Sequence, residues 1–386
     1  MLEAQLPESE QIDVSALARI FTNTTTSYKY LFFLSVLDIL KRRNFTVSCP
    51  INFREIIVEM LANAWYPHTY FKLYFGTQDK IAQKLDSLQL EITERVLKFT
   101  DTDKTELRAT IAQQNLKDAI AHLKRYVPFR LIAPFLETEL EAENVKRGTG
   151  NCLEKAMPAL ADRYFERRKP FYKFDTSSYR DCTSILIHPD WANYIKNNYA
   201  IVRGWVFWEW VQYMQKLNPN TPNIINKIFI PQQRGSLEVQ KQYWKLILKS
   251  NPILCIYSGR NLEANNISLD HYLPWSFVAH DLLWNLIPTH PSINSAKSNN
   301  LPSEQYFDAF VKVQHQGLVT SHEQLKPQQW GKMIESYLAE FRMSGTEDLL
   351  NLEKLRNAYK LTIQPLISLA TLQGFTPNWF YRSTED

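Results

Sequence analysis

Residue types that hydrolyse or hold phosphate esters fall together in one stretch of the chain, from Leu269 to Pro302. Asp270 stands beside His271, Asn285 lies in the next apolar run, and Asn294 and Lys297 follow in a short polar segment. Cleaving a phosphodiester takes a base for water, a divalent cation to offset developing charge, and groups that fix both. His271 has the side chain whose ordinary pKa, about 6.5, suits a general base near neutral pH. Asp270 is a hard oxygen ligand fit for Mg²⁺, an ion that keeps most of its waters and takes few protein ligands. Asn294 could supply a second oxygen. Asn285 is placed to orient the loop or the imidazole, and Lys297 to hold a phosphate oxygen. No other part of the chain offers a comparable set.

These residues need two strands and a helix to bring them together. Ile267 to Leu269 is mostly apolar after the turn-like Glu263-Ala264-Asn265-Asn266, and Pro274 ends that strand near His271. Strand neighbours point to opposite faces, so Asp270 and His271 share one site only if the backbone bends there. Trp284 to Pro288 reads as the partner strand, stopped by proline. Pro291 then suits the first position of a helix that carries Asn294 and Lys297 on one face.

In this order the segment resembles the HNH (His-Me finger, ββα-metal) nuclease family, and most of all the HNH domain of the RNA-guided type II CRISPR nuclease. The matching elements are Asp270-His271, Pro274-Trp275-Ser276-Phe277, Asn285, Asn294, and Lys297-Ser298 followed by Leu301-Pro302. They cover roughly residues 252–303. The resemblance implies that His271 activates water, that Asp270 and Asn294 bind one divalent metal, and that Asn285 has an orienting part in the catalytic set. Many family members also carry two Cys-x-x-Cys pairs around a structural zinc. Here those positions read Cys255-Ile256-Tyr257-Ser258 and His290-Pro291-Ser292-Ile293. Cys255 and His290 alone cannot fill a tetrahedral zinc site, so no structural zinc is expected.

Composition bounds the rest. Hydrophobic residues make up 45% of the 386, ample for packed cores, and only 10 glycines fit a largely helical chain. Four widely spaced cysteines give no disulfide framework and suit a reducing cytoplasm. With 44 basic against 40 acidic residues, any nucleic-acid surface must come from local patches such as Lys41-Arg42-Arg43 and Arg167-Arg168-Lys169. The start is acidic and polar, unlike a secretory signal, and the apolar run Tyr30 to Leu40 is too short to span a bilayer. The expectation is a cytoplasmic protein with no membrane partner.

The spacing predicts helices over 28–40, 51–64, 77–98, 104–125, 151–168, 191–216, 235–250, 303–316, 327–343 and 347–371, with a short strand over 184–187. Val127-Pro128-Phe129 and Ala133-Pro134-Phe135 are expected to break the pattern, and Glu137 to Gly150 reads as a charged linker. The fold class is therefore mainly α with an inserted ββα-metal finger, α+β overall. Four regions are expected: an N-terminal helical region over 1–150, a middle, mostly helical region over 151–250, the finger over 251–303, and C-terminal helices over 304–386. A finger of about fifty residues has little core of its own and should lean on the flanking helices, with Trp275 and Trp284 at the contact. The functional expectation is a Mg²⁺-dependent endonuclease acting on DNA, with Mn²⁺ able to substitute. By analogy with the family it would serve bacterial defence against phage or foreign DNA, as an effector activated by a protein partner such as a guide-binding one. The alternatives are a nucleic-acid-binding subunit with an inactive finger, and an RNA-cleaving effector.

Overall fold

The computed structural model describes residues 6–90, 101–145, 151–229, 235–343 and 345–382, with backbone alone for 101–103. It is 61% helical with two small sheets, so the mainly α, α+β expectation holds. The chain divides into two compact units, Met1–Pro219 with Lys227–Gln232, and Asn220–Asn226 with Gln233–Asp386.

At the centre of the first unit is helix α1 (Tyr28–Arg42), buried on every side from Tyr30 to Leu40. A helix apolar on nearly every side, with Ser35 and Asp38 as its buried polar residues, has no broad solvent face and belongs in a core. Asp79 holds its start, accepting from both the backbone N–H (2.7 Å) and the hydroxyl (2.6 Å) of Ser27. Lys41 and Arg42 lie in the last turn, where cations suit the helix dipole. Helix α2 (Phe53–Trp65) is capped by Asn52, which accepts from Arg54 N–H at 2.8 Å. Helices α3 (Asp101–Ala112) and α4 (Pro189–Leu217) complete the set used below. Strands β1 (Ile51–Asn52), β2 (Tyr172–Phe174) and β3 (Ser184–Ile187) form an antiparallel sheet in the order β1-β3-β2.

The prolines at 128 and 134 interrupt the helical pattern as expected, each standing in the first turn of a new short helix, Val127–Leu131 and Ala133–Leu136, where a missing N–H goes unnoticed. Two expectations for this unit need correction. The helix over 104–125 is two, Asp101–Ala112 and Lys117–Leu123. Nor is Glu137 onward a linker: Glu137–Ala142 is helical and buries Glu139 against Arg168. Of the helix expected over 77–98, the structure gives Ile81–Ser87, and 91–98 lies outside the described residues, as does 146–150 of the expected linker.

The second unit is built on helix α5 (Glu238–Ser250), a ββα finger, and three long helices. The finger consists of β4 (Ser268–His271), β5 (Leu286–Thr289) and α6 (Pro291–Lys297). The strands pair antiparallel, Ser268 with Thr289, Leu269 with Pro288, Asp270 with Ile287 and His271 with Leu286. Strand β5 therefore passes through Pro288 instead of stopping there. A two-stranded ribbon has an unpaired side on which a missing N–H is tolerated. Trp284 and Asn285 belong to a helical turn, Leu283–Asn285, just before the strand.

All four residues of β5 are buried, so the strand is covered on both faces. Its cover comes from α5 and from α7 (Phe307–Gln324), while α8 (Pro327–Phe341) packs on the turn Leu283–Asn285 and α9 (Leu352–Leu372) packs on α7 and α8. Trp244 and Ile247, finger residues Tyr272, Trp284, Leu286 and Ile287, and Phe310, Tyr337 and Tyr359 belong to one continuous core. Gly317 lets α7 approach α5: a Cβ there would lie 3.0 Å from Tyr243 Oη and 3.1 Å from the Trp244 ring. Buried carbonyls of the finger are answered from these helices. Gln314 Nε2 donates to Leu286 O at 2.9 Å, Tyr337 donates to Gln314 Oε1 at 2.6 Å, and Tyr359 donates to Trp284 O at 2.9 Å.

Candidate active site

Helix α6 lies against β4 and reaches it twice. Asn294 Nδ2 donates to Ser268 Oγ at 2.7 Å and to Leu269 O at 3.2 Å. One turn on, Lys297 Nζ donates to Asp270 Oδ1 at 3.1 Å and to His271 O at 2.7 Å. The i, i+3 spacing of Asn294 and Lys297 thus maps onto successive residues of the strand.

Asp270 and Lys297 are both buried. The second carboxylate oxygen, Oδ2, accepts from the hydroxyl of Tyr257 at 2.6 Å. Burial lowers the Lys297 ammonium from its ordinary value, against the opposing pull of Asp270. Burial likewise raises the Tyr257 phenol well above its usual range, with the Asp270 charge adding to it. Tyr257 is itself held edge-on by Tyr306 (5.0 Å) and Trp379 (5.3 Å). Trp379 is fixed in turn by the chain end, whose backbone joins residues 301–303. Leu301 N donates to Thr376 O, Trp379 N to Leu301 O, and Ser303 N to Trp379 O.

His271 closes β4, as its neighbouring proline leads one to expect, and its imidazole turns to a different partner. Nε2 lies 2.8 Å from Asp281 Oδ1, with both side chains largely sheltered. An ionised carboxylate only accepts, so the proton of this bond sits on Nε2 and the basic nitrogen is Nδ1. Asp281 is brought there by a reversal of the chain: the turn Trp275–Val278 ends on Ala279, which has φ 54°. Asn285 is buried and bonded at both ends of its amide to one residue. Its Oδ1 accepts from Leu273 N at 2.8 Å and its Nδ2 donates to Leu273 O at 2.9 Å. It pins the loop that leaves β4.

The structure therefore gathers Asp270, His271, Asn294 and Lys297 along the β4–α6 pair and sets Asn285 behind the loop. Lys297, expected at a phosphate oxygen, is turned inward to Asp270 instead. Asp281, Tyr257 and Ser268 had not been singled out. Asp281 follows His280 in a run that reads as an ordinary turn, and nothing in its spacing ties it to His271. Tyr257 lies in the Cys255-to-Ser258 stretch, which is read only as a place where a zinc ligand is missing, at Ser258.

The side chains that could hold a hard dication are Asp270, whose two oxygens are engaged by Lys297 and Tyr257, and Asn294, whose amide, with its nitrogen on the strand, presents Oδ1 as its acceptor. A dication at Asp270 would have to displace one of those two partners. One or two oxygen ligands are what a largely hydrated Mg²⁺-like ion takes. Among the described residues no group of three His, Cys, Asp or Glu side chains is arranged to hold a metal. Cys255 is buried with its thiol 3.2 Å from Thr289 Oγ1.

Residues 255–303 match the HNH endonuclease family, so that segment of the chain carries an HNH endonuclease domain. The match is to that family in general and does not single out the CRISPR-type finger. Nuclease action on nucleic acid is what such a domain indicates, and HNH nucleases generally use a divalent metal. No curated protein and no solved structure matches the chain. Among the described residues, no helix is long and apolar enough to cross a membrane.

Proposed function

We propose that the protein is a Mg²⁺-dependent endonuclease that hydrolyses phosphodiester bonds of DNA. The observation that carries this reading is His271 at the end of β4, bonded through Nε2 to Asp281 and adjacent in sequence to Asp270. His271 takes a proton from water at Nδ1, and Asp281 fixes the imidazole and favours its charged form. Asp270 and Asn294 hold the dication, which when bound offsets the charge that builds on the phosphate and the departing oxygen. Lys297 and Tyr257 hold the Asp270 carboxylate in place. One finger has one catalytic centre, so a single event nicks one strand. The wider role, defence against phage or foreign DNA under control of a protein partner, rests on the family resemblance alone.

The test is cleavage of supercoiled plasmid, single-stranded DNA and RNA by the purified protein, with Mg²⁺ or Mn²⁺ and with EDTA. Metal-dependent conversion of plasmid to nicked circles supports the reading. Equal or faster cleavage of RNA moves the substrate to RNA. One observation favours a second reading, a nucleic-acid-binding subunit with an inactive finger: both oxygens of Asp270 are already engaged, by Lys297 and Tyr257. Binding without cleavage of any substrate under any metal would select it.

A further inference from the structure

In the first unit two buried carboxylates, Asp38 on α1 and Glu59 on α2, gather cations from three helices, α1, α3 and α4. Glu59 Oε2 accepts from Arg42 at 2.6 Å, while Oε1 lies 3.0 Å from Lys104 Nζ and 3.4 Å from Arg108 Nη1. Asp38 takes Lys104 Nζ at 2.9 Å and Arg203 Nε at 3.2 Å. Alongside, Arg43 pairs with Glu55 at 2.6 Å, and Lys41 lies 5.2 Å from the centre of the Tyr199 ring. Among the described residues, these pairings set six cations against three carboxylates, three more positive charges than negative.

A tie between helices needs one cation per carboxylate, and further like charges only repel. The surplus has a use if an anion completes it. Each guanidinium brings five N–H donors in a planar fork, of which the carboxylates occupy a minority. The side chains are also partly exposed: Arg42 is 38% exposed, Arg203 32%, Lys104 25% and Arg108 18%. Side chains already fixed by Asp38 and Glu59 lose little further freedom on binding, which favours affinity.

We infer that this cluster binds the phosphate backbone of nucleic acid, gripping the strand independently of its sequence. Guanidinium forks match phosphate oxygens in pairs, and duplex DNA presents one charge per about 1.7 Å of axis, a density suited to clustered cations. The choice of nucleic acid over another polyanion rests on the proposed nuclease reading of the finger. The cluster supplies grip, and sequence selection must come from elsewhere.

The experiment measures salt-dependent binding of full-length protein carrying His271→Ala to duplex DNA of two unrelated sequences. Arg108→Gln with Arg203→Gln removes two cations while leaving Glu59 with Arg42 and Lys104, and Asp38 with Lys104. Lys41→Gln touches no carboxylate and serves if the double variant folds poorly. Lys312→Gln with Lys332→Gln removes the same charge from the second unit as a control. Affinity at low salt should fall about tenfold or more for the double variant, equally on both sequences. The slope of log affinity against log salt should drop by about one per cation removed. An unchanged slope, an equal drop in the control, or tighter binding to polyglutamate than to DNA would overturn the inference. Its fate is separable from that of the nuclease reading. Wild-type protein that nicks plasmid, with patch variants binding normally, sinks the cluster alone. Lost binding in the variants of a protein that cuts nothing sinks the nuclease alone.

Discussion

Lys297 Nζ lies 3.1 Å from Asp270 Oδ1 with both side chains buried, so the candidate metal ligand and a lysine share one dry pocket. A buried pair contributes little over an apolar replacement, but removing one partner strands the other. Lys297→Met should therefore destabilise the second unit by on the order of 3 kcal/mol, read from denaturant midpoints. Adding Asp270→Asn should recover part of that loss. A double variant whose loss equals the sum of the singles would show that the two groups are not coupled.

His271→Ala should lower nicking by about 10² to 10⁴-fold with the fold intact, because a base at a strand end serves rate more than packing. Asp281 acts through His271 and is a positioning residue. Asp281→Ala should reduce kcat while leaving KM near its original value, and Asp281→Glu should restore part of the rate. A change confined to KM would show that Asp281 touches substrate instead.

Asp270→Asn and Asn294→Ala should each weaken metal binding, raising the Mn²⁺ concentration needed both for activity and for the calorimetric binding signal. The finger should need no zinc: elemental analysis should find less than stoichiometric zinc, and a zinc-selective chelator should leave the melting temperature unchanged. One zinc per chain would reverse the reading of Cys255 and His290.

Asp38 gives the first unit a defined acid response. Burial alone would raise this carboxyl, but Lys104 and Arg203 outweigh it and hold it down at about 2, against 3.8 for the free group. A pKa depressed on folding adds stability above the unfolded value and loses it as pH falls through the folded one. Asp38 should thus contribute about 2 kcal/mol at neutral pH, most of it lost between pH 4 and about 2. Urea unfolding of wild type and Asp38→Asn across pH 5 to 2 checks this: the gap between them should close on acidification.

The finger was legible because its pattern is local. Asp270-His271, the prolines, Asn285, Asn294 and Lys297 fall at spacings that a strand, a turn and a short helix impose on any chain. What escaped depends on contacts between segments or on where a long side chain comes to rest. Asp281 reaches His271 only because the backbone reverses at Ala279, a residue with a Cβ in a left-handed conformation. Lysine is mostly exposed, so nothing in the sequence announces that Lys297 turns inward. The same blindness made Glu137 to Gly150 read as a linker, since the partner that lets Glu139 be buried, Arg168, lies far along the chain.

The contact between Trp379 and Tyr257 bears on when the finger becomes competent. Trp379 braces Tyr257, and Tyr257 holds Asp270, so the order of synthesis leaves this brace until after the finger. A ribosome that has released residues 255–303 has made every candidate catalytic residue, yet about seventy-five residues remain before Trp379 emerges. Nascent and prematurely terminated chains therefore carry a site whose carboxylate lacks its outer support. Maturation of the finger waits on the emergence of Trp379, and a stop codon just before Thr376 should be felt at Asp270.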